Sequence, residues 1–211
     1  MRVVILISGR GSNMQTLLEA NLSVEFACVV SNRPDAAGLA FAAGRGVATA
    51  VVDHKAYPDR AAFDAALSTE IDRHAPDLVI LAGFMRVLTD DFVRRYQGRM
   101  INIHPALLPA FPGLNTHERA LQAGVKLHGC TVHYVTPEVD VGPIIVQAAV
   151  PVLADDTPAT LAARVLRQEH HIFPQAVAWI AAGRVELRGD GTVAVGGVPD
   201  SGGASLSYPA D

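Results

Sequence analysis

Short apolar runs alternate along this chain with stretches whose apolar positions recur at helical spacing. Residues 3–8, 24–31, 47–52 and 77–82 are runs rich in Val, Ile and Ala that read as strands buried on both faces. The segments between them, 13–20, 36–43 and 60–74, carry Ala and Leu at intervals that line one face of a helix. Strand and helix in regular alternation predict a parallel sheet joined by right-handed crossovers. Further strands are expected at 100–104, 129–135 and 144–150, and a helix at 158–182 is expected to pack back across the sheet. The runs 185–187 and 193–195 flank Gly189-Asp190-Gly191, the pattern of a β-hairpin with an Asp-Gly turn. From Gly196 onward Gly, Ser and Pro dominate, and a mobile tail is expected. The fold class that follows is α/β, an open, mostly parallel, Rossmann-like sheet with helices on both faces.

Composition narrows the function classes. With 211 residues, 50% hydrophobic and 18% charged, the chain suits one large domain with a real core, and neither an internal repeat nor a long linker divides it. A formal net charge of -4, with the 17 basic residues scattered rather than striped, argues against a nucleic-acid partner. The first apolar run is too short for a signal core or a membrane span, so a cytoplasmic protein without a membrane partner is expected. The two cysteines, Cys28 and Cys130, both fall in apolar strands and read as buried thiols.

Candidate chemistry concentrates in Ile101-Asn102-Ile103-His104-Pro105. Alternation puts Asn102 and His104 on one face and Ile101 and Ile103 in the core, and Pro105 ends the ladder. An amide N–H and an imidazolium aimed at one point suit acyl-type transfer, where charge collects on a carbonyl oxygen. Two satisfied polar residues at a strand end are the alternative. Earlier in the chain, Ser8-Gly9-Arg10-Gly11-Ser12-Asn13 follows the first strand and opens the first helix, where free N–H groups and the helix dipole favour an anion. Met14 replaces the third glycine of a dinucleotide fingerprint, the second strand ends in Ser31-Asn32 rather than an acid, and no Gly-Lys-Ser/Thr follows. A monophosphate fits best, with a tight turn capped by Ser12 as the purely structural alternative.

Asp140, in the loop between two apolar strands, is a carboxylate that beside His104 would keep the imidazole cationic, or else a turn aspartate bonded to nearby backbone. The eight histidines show no ligand spacing and no metal is expected: His128 and His133 fall on opposite strand faces, and His170 and His171 diverge on a helix. Asn115 and Glu118 have the spacing of a capping box, which gives His117 a local structural role. Residues 83–88 lie at the carboxyl edge of the sheet, where open α/β sheets bind ligands, with ordinary core packing of their apolar side chains as the alternative. Glu169 by default is a solvated helix residue.

Taken together, Ile7 to Asn13, Leu81 to Arg86, Asn102 to Pro109 and Val139 to Pro143 resemble the folate-dependent phosphoribosylglycinamide formyltransferases of purine synthesis. The likeness runs from about Arg2 to Gly183. It implies the formyltransferase fold over 1–188, with a ribonucleotide-binding first half and a folate-binding, catalytic second half, and a hairpin and flexible tail over 189–211. It also implies two small-molecule substrates, glycinamide ribonucleotide and 10-formyltetrahydrofolate as formyl donor, and a monomer or homodimer. By this resemblance Asn102 and His104 hold the formyl oxygen, with His104 as general acid and Asp140 raising its pKa. Gly11, Ser12 and Asn13 match the grip on the ribonucleotide phosphate, and Glu169 a carboxylate contacting the same substrate. Arg60, Met85, Arg86, Val87 and Leu88 match folate-contacting positions, as does Asn102, with Val135 and Asp140 near the pterin. Two departures stand out: Asn115 replaces a histidine of some members, and Val141 a glycine frequent after the aspartate. The second bears on folate affinity more than on chemistry.

Other formyl-tetrahydrofolate enzymes compete with this reading: a formate-releasing hydrolase, a formyltransferase acting on methionyl-tRNA, and one acting on an amino sugar. The first two families carry an extra domain for which this chain shows no room, and the glycine turn favours a phosphorylated small acceptor. A non-catalytic folate-binding or nucleotide-binding module would need no Asn-His-Asp constellation.

Overall fold

In the computed structural model, which describes residues 1–197, five parallel strands lead one seven-stranded sheet. They are β1 (Arg2–Ile7), β2 (Glu25–Ser31), β3 (Thr49–Val51), β4 (Leu78–Leu81) and β5 (Met100–His104). Two antiparallel strands, β6 (Leu127–Tyr134) and β7 (Ile144–Pro151), extend the far edge. The spatial order is β3-β2-β1-β4-β5-β6-β7, so the chain reverses its direction of build between β1 and β4.

Apolar side chains leave both faces of the central strands, which is why these segments read as continuous rather than alternating runs. From one face Val3, Ile5 and Ile7 meet α1 (Ser12–Glu19), α2 (Ala37–Gly44) and α6 (Pro158–Ala181) in one core cluster. From the other, Val4 and Leu6 meet α3 (Arg60–Arg73) and α4 (Asp90–Arg95) in a second. The long helix packs on β6, β7 and α1, as expected. Thr157 caps its first turn in a reciprocal pair with Thr160.

Helix α4 was not expected. Its six residues include four charges and too few apolar positions to show a period, and it is Thr89, accepting from Phe92 N, that starts it. A 3-10 turn at His54–Ala56 was equally invisible, since its cap, Asp53 accepting from Lys55 N, is entirely local. The hairpin pairs β8 (Val185–Leu187) with β9 (Val193–Val195). Val185, Val193 and Val195 pack on the first core cluster, which ties the hairpin to the body. The expected mobile tail lies, beyond residue 197, outside the described residues.

Candidate active site

At the reversal between β1 and β4 the flanking loops part, and a cleft of ≈ 420 Å³ opens at their carboxyl ends. Residues 8–13 form one wall, and Ala82, Gly83, Met85 and Arg86 face them. Gly11 precedes α1 at φ +67, a left-handed conformation that selects glycine. No side chain caps α1 and its first turn holds no acid, which leaves the opening N–H groups to an anion. Ser12 is therefore the first helical residue and not a cap. Asn13 is buried; its Nδ2 donates to Glu169 Oε2 at 2.7 Å while its Oδ1 has no protein partner. Glu169, 7% exposed on α6, is not the solvated residue its neighbours suggested, and burial pushes its carboxyl pKa up against the lowering effect of the Asn13 bond.

The second constellation lies at the end of β5. Asn102 pairs across the ladder with His133 of β6, and His104 with Thr131, so these side chains share one face while Ile101 and Ile103 enter the core. His133 Nδ1 lies 2.9 Å from the Tyr134 carbonyl, to which only an N–H can donate, and this assigns the proton to Nδ1. Its Nε2 is then the acceptor for Asn102 Nδ2 at 3.2 Å. Burial, the leading influence, pulls the His133 pKa below the ordinary histidine value and keeps the ring neutral.

Asp140 reaches this face from the loop before β7. Its Oδ2 lies 3.3 Å from His104 Nδ1 and accepts the Gly113 N–H at 2.8 Å. Its Oδ1 stands 3.7 Å from the neutral His133 Nε2, an approach that carries no ion pair. The carboxylate thus binds backbone across the site, not its own turn. His104 Nε2 lies 2.9 Å from the Phe111 carbonyl, so both ring nitrogens face acceptors and the imidazolium is the form with a proton for each. The pair is withdrawn from water, with side chains 6% and 9% exposed. Asp140 has φ +58, and a Cβ on Gly142 would lie 1.8 Å from the Tyr134 carbonyl, so the loop presses against the end of β6. Val141 is 62% exposed.

The remaining expected residues divide. Met85 and Arg86 line the cleft, and Val87 is exposed beside them. The Arg86 guanidinium lies over the Phe63 ring at 5.8 Å, with its buried Nε unpartnered. Leu88 and Val135 pack on the second core cluster. Arg60 stands exposed at the first position of α3, outside the cleft lining. Asn115 takes left-handed geometry ahead of α5 (Thr116–Gln122) and its side chain caps nothing, so no capping box forms. His117 instead sets its ring edge-on to His128 at 5.3 Å. His128 is fully buried with neither ring nitrogen partnered, and burial lowers its pKa to about 4.

Sequence reasoning missed His133, Asn32 and His54, and it took Ser8 only as the start of the anion turn. Alternation places His133 on the face of Thr131, but only the β5–β6 register brings that face to Asn102. Ser8 Oγ donates to Asn32 Oδ1 at 2.6 Å, and His54 Nδ1 donates to the Asn32 carbonyl at 2.8 Å. These partners are more than twenty residues apart and leave no local signal. Among the described residues no group of three or more His, Cys, Asp or Glu is placed to hold a metal ion, and no helix is long and apolar enough to cross a membrane.

Residues 1–177 match the family model described as formyl transferase. The chain is 48% identical over 191 residues to phosphoribosylglycinamide formyltransferase of Escherichia coli, covering 89% of this chain and 90% of that one. It is also 48% identical over 196 residues to the human trifunctional purine biosynthetic protein adenosine-3, covering 91% of this chain but only 19% of that much longer protein. Among solved structures, glycinamide ribonucleotide transformylase 1 from Symbiobacterium toebii superposes with a TM-score of 0.89 at 47% identity, covering 92% of this chain and 93% of that one. By its matched residues, its extent and its fold, the chain belongs to the phosphoribosylglycinamide formyltransferase family of one-carbon group transferases.

Proposed function

We propose that the protein transfers the formyl group of 10-formyltetrahydrofolate to the amine of glycinamide ribonucleotide. The observation that carries this reading is the meeting of Asn102, His104 and Asp140 at the end of β5, on the same carboxyl edge of the sheet as an uncapped helix start that can take a phosphate. The neutral amine attacks the formyl carbon directly, so no nucleophilic side chain is required. As the C=O bond opens, negative charge collects on its oxygen, and Asn102 Nδ2–H and the His104 imidazolium stabilise it. His133 holds one N–H of Asn102, which leaves the other for the substrate. His104 Nε2 exchanges its bond to the Phe111 carbonyl for the formyl oxygen while Asp140 retains Nδ1. A proton must pass from the attacking amine to N10 of the leaving folate, either through His104 or through a water held by Asp140.

The phosphate is read by the backbone of Gly11, Ser12 and Asn13, and the ribose side of the substrate by Glu169 and the free Asn13 Oδ1. The folate is placed against Met85, Arg86, Val87 and Leu88, with Val135 and Asp140 near the pterin and Arg60 at the outer end. The exposed Met85 and Val87 and the unpartnered Arg86 Nε support that placement. The test is an absorbance assay with 10-formyltetrahydrofolate, run with and without glycinamide ribonucleotide and with formate analysed in parallel. Release of tetrahydrofolate that depends on the acceptor supports the transferase, whereas formate without acceptor identifies a hydrolase and overturns it.

A further inference from the structure

The loop 83–88 forms one wall of the cleft, yet its backbone is almost unsupported. Among the described residues its one backbone hydrogen bond runs from Met85 N–H to Ser8 Oγ, at 2.7 Å. On either side Ala82 N–H is held by the Leu6 carbonyl and Thr89 N–H by Asp64 Oδ2. Ser8 follows the last residue of β1 and is itself 6% exposed, at the start of the turn that leads through Gly11 into α1. Its single hydroxyl does two things: it accepts from Met85 and donates to Asn32 Oδ1 at 2.6 Å. Asn32 is 2% exposed and is fixed in turn by His54 Nδ1, which donates to its carbonyl at 2.8 Å. The hydroxyl is therefore oriented from a rigid side and presents its lone pair to the loop.

From this geometry we infer that Ser8 is a positioning residue that couples the two substrate subsites. An anion gathered by the turn restrains residues 8–13 from the side of α1, adding to the hold of Asn32 on Ser8, and through the Met85 N–H it restrains the 83–88 loop before folate arrives. The second ligand then pays less conformational entropy than the first, which is positive cooperativity without a change of shape. The coupling must be reciprocal, with each substrate tightening the other by the same factor. Measured couplings of this kind start near fivefold, and one buried hydrogen bond supports a value of about that size. The inference rests on the substrate assignment above.

Equilibrium titration of the whole chain with tetrahydrofolate, with and without saturating glycinamide ribonucleotide, and the reverse titration, tests it. The wild type is expected to show about a fivefold tightening in both directions. Ser8→Ala should bring the factor to one while each ligand alone still binds, and Ser8→Thr, which keeps the hydroxyl, should restore it. A merely structural serine would lower stability or both affinities and leave the factor unchanged. Independent binding in the wild type, or an undiminished factor in Ser8→Ala, overturns the coupling. Failure of the wild type to bind tetrahydrofolate at all would instead overturn the substrate assignment.

Discussion

At the end of β1 the site is made of backbone, and at the end of β5 it is made of side chains. The first half is a glycine turn and the opening N–H groups of α1, contiguous in sequence and open to solvent through the cleft. The second brings Asn102 and His104 from β5, His133 from β6, Asp140 from the loop before β7 and the Phe111 carbonyl from residues 105–114. It is almost closed to water. A backbone site tolerates solvent because its donors point outward and cannot rearrange. A charge-stabilising site gains by dryness, since the attraction between imidazolium and carboxylate strengthens as water leaves. Under the proposed function, the open half would recognise the ribonucleotide and the closed half would carry out the transfer.

Substitutions separate the halves most sharply at Asn102 and His104. Loss of one donor to the developing oxyanion lowers kcat on the order of 100- to 1000-fold. Asn102→Ala and His104→Ala are expected to fall in that range with an unchanged circular dichroism spectrum, and near-normal turnover in both would remove the chemical assignment.

Beneath the closed half, the pair His117 and His128 is expected to weaken the fold in acid. In the native state His128 stays neutral down to about 4, whereas its ordinary value is 6.5. Between these values the unfolded chain binds the proton that the folded one refuses, so stability is full above the upper value and drains away as the pH falls to the lower. The loss reaches on the order of 3 kcal/mol at pH 4. His117, whose pKa burial also lowers, acts in the same direction. Urea denaturation across that range should show a shallower acid decline in His128→Phe, which keeps an aromatic ring against Phe111. A parallel curve would place the titration elsewhere.

Asp140→Asn keeps an acceptor for Gly113 but removes the charge beside His104, and should cost about 10- to 100-fold in kcat. The KM for glycinamide ribonucleotide should stay within about threefold of wild type if the halves are separate. The smallest effect belongs to the open half. Burial raises the Glu169 pKa, so the charged carboxylate at neutral pH works against folding, a penalty that disappears as the pH falls and the group protonates. Glu169→Gln should therefore stabilise the fold by about 1 kcal/mol in thermal melts at pH 7 while raising the KM for the ribonucleotide. A variant that lost stability, or that bound the ribonucleotide unchanged, would mean that Glu169 serves the core alone.

What was legible follows the same division. The anion turn could be read because Ser8 to Asn13 is one segment whose geometry depends on its own glycines. The strands of the central sheet could be read because both their faces are buried and no register is needed to see them. Asn102 and His104 could be read as a pair because two-residue alternation is local. Asp140 could be named beside His104 only as one of two readings, with a turn aspartate as the other, and His133 could not be named as a partner at all. Asp140 meets Gly113 across 27 positions and His133 meets Asn102 across 31, and such contacts depend on how β5 and β6 align. Glu169 was misplaced for a similar reason: the charged and polar residues around it on α6 suggest solvent, while its own face turns toward Asn13. Short elements escaped as well, since α4 and the turn at His54–Ala56 hold too few residues to show a period.

One measurement bears most directly on the division of labour, the dissociation constant of glycinamide ribonucleotide set beside single-turnover formyl transfer, both in His104→Ala. Ribonucleotide affinity within about threefold of wild type, with transfer slowed on the order of 100- to 1000-fold, is the predicted result. Transfer at the wild-type rate, or affinity and rate lost together by the same factor, would contradict the account.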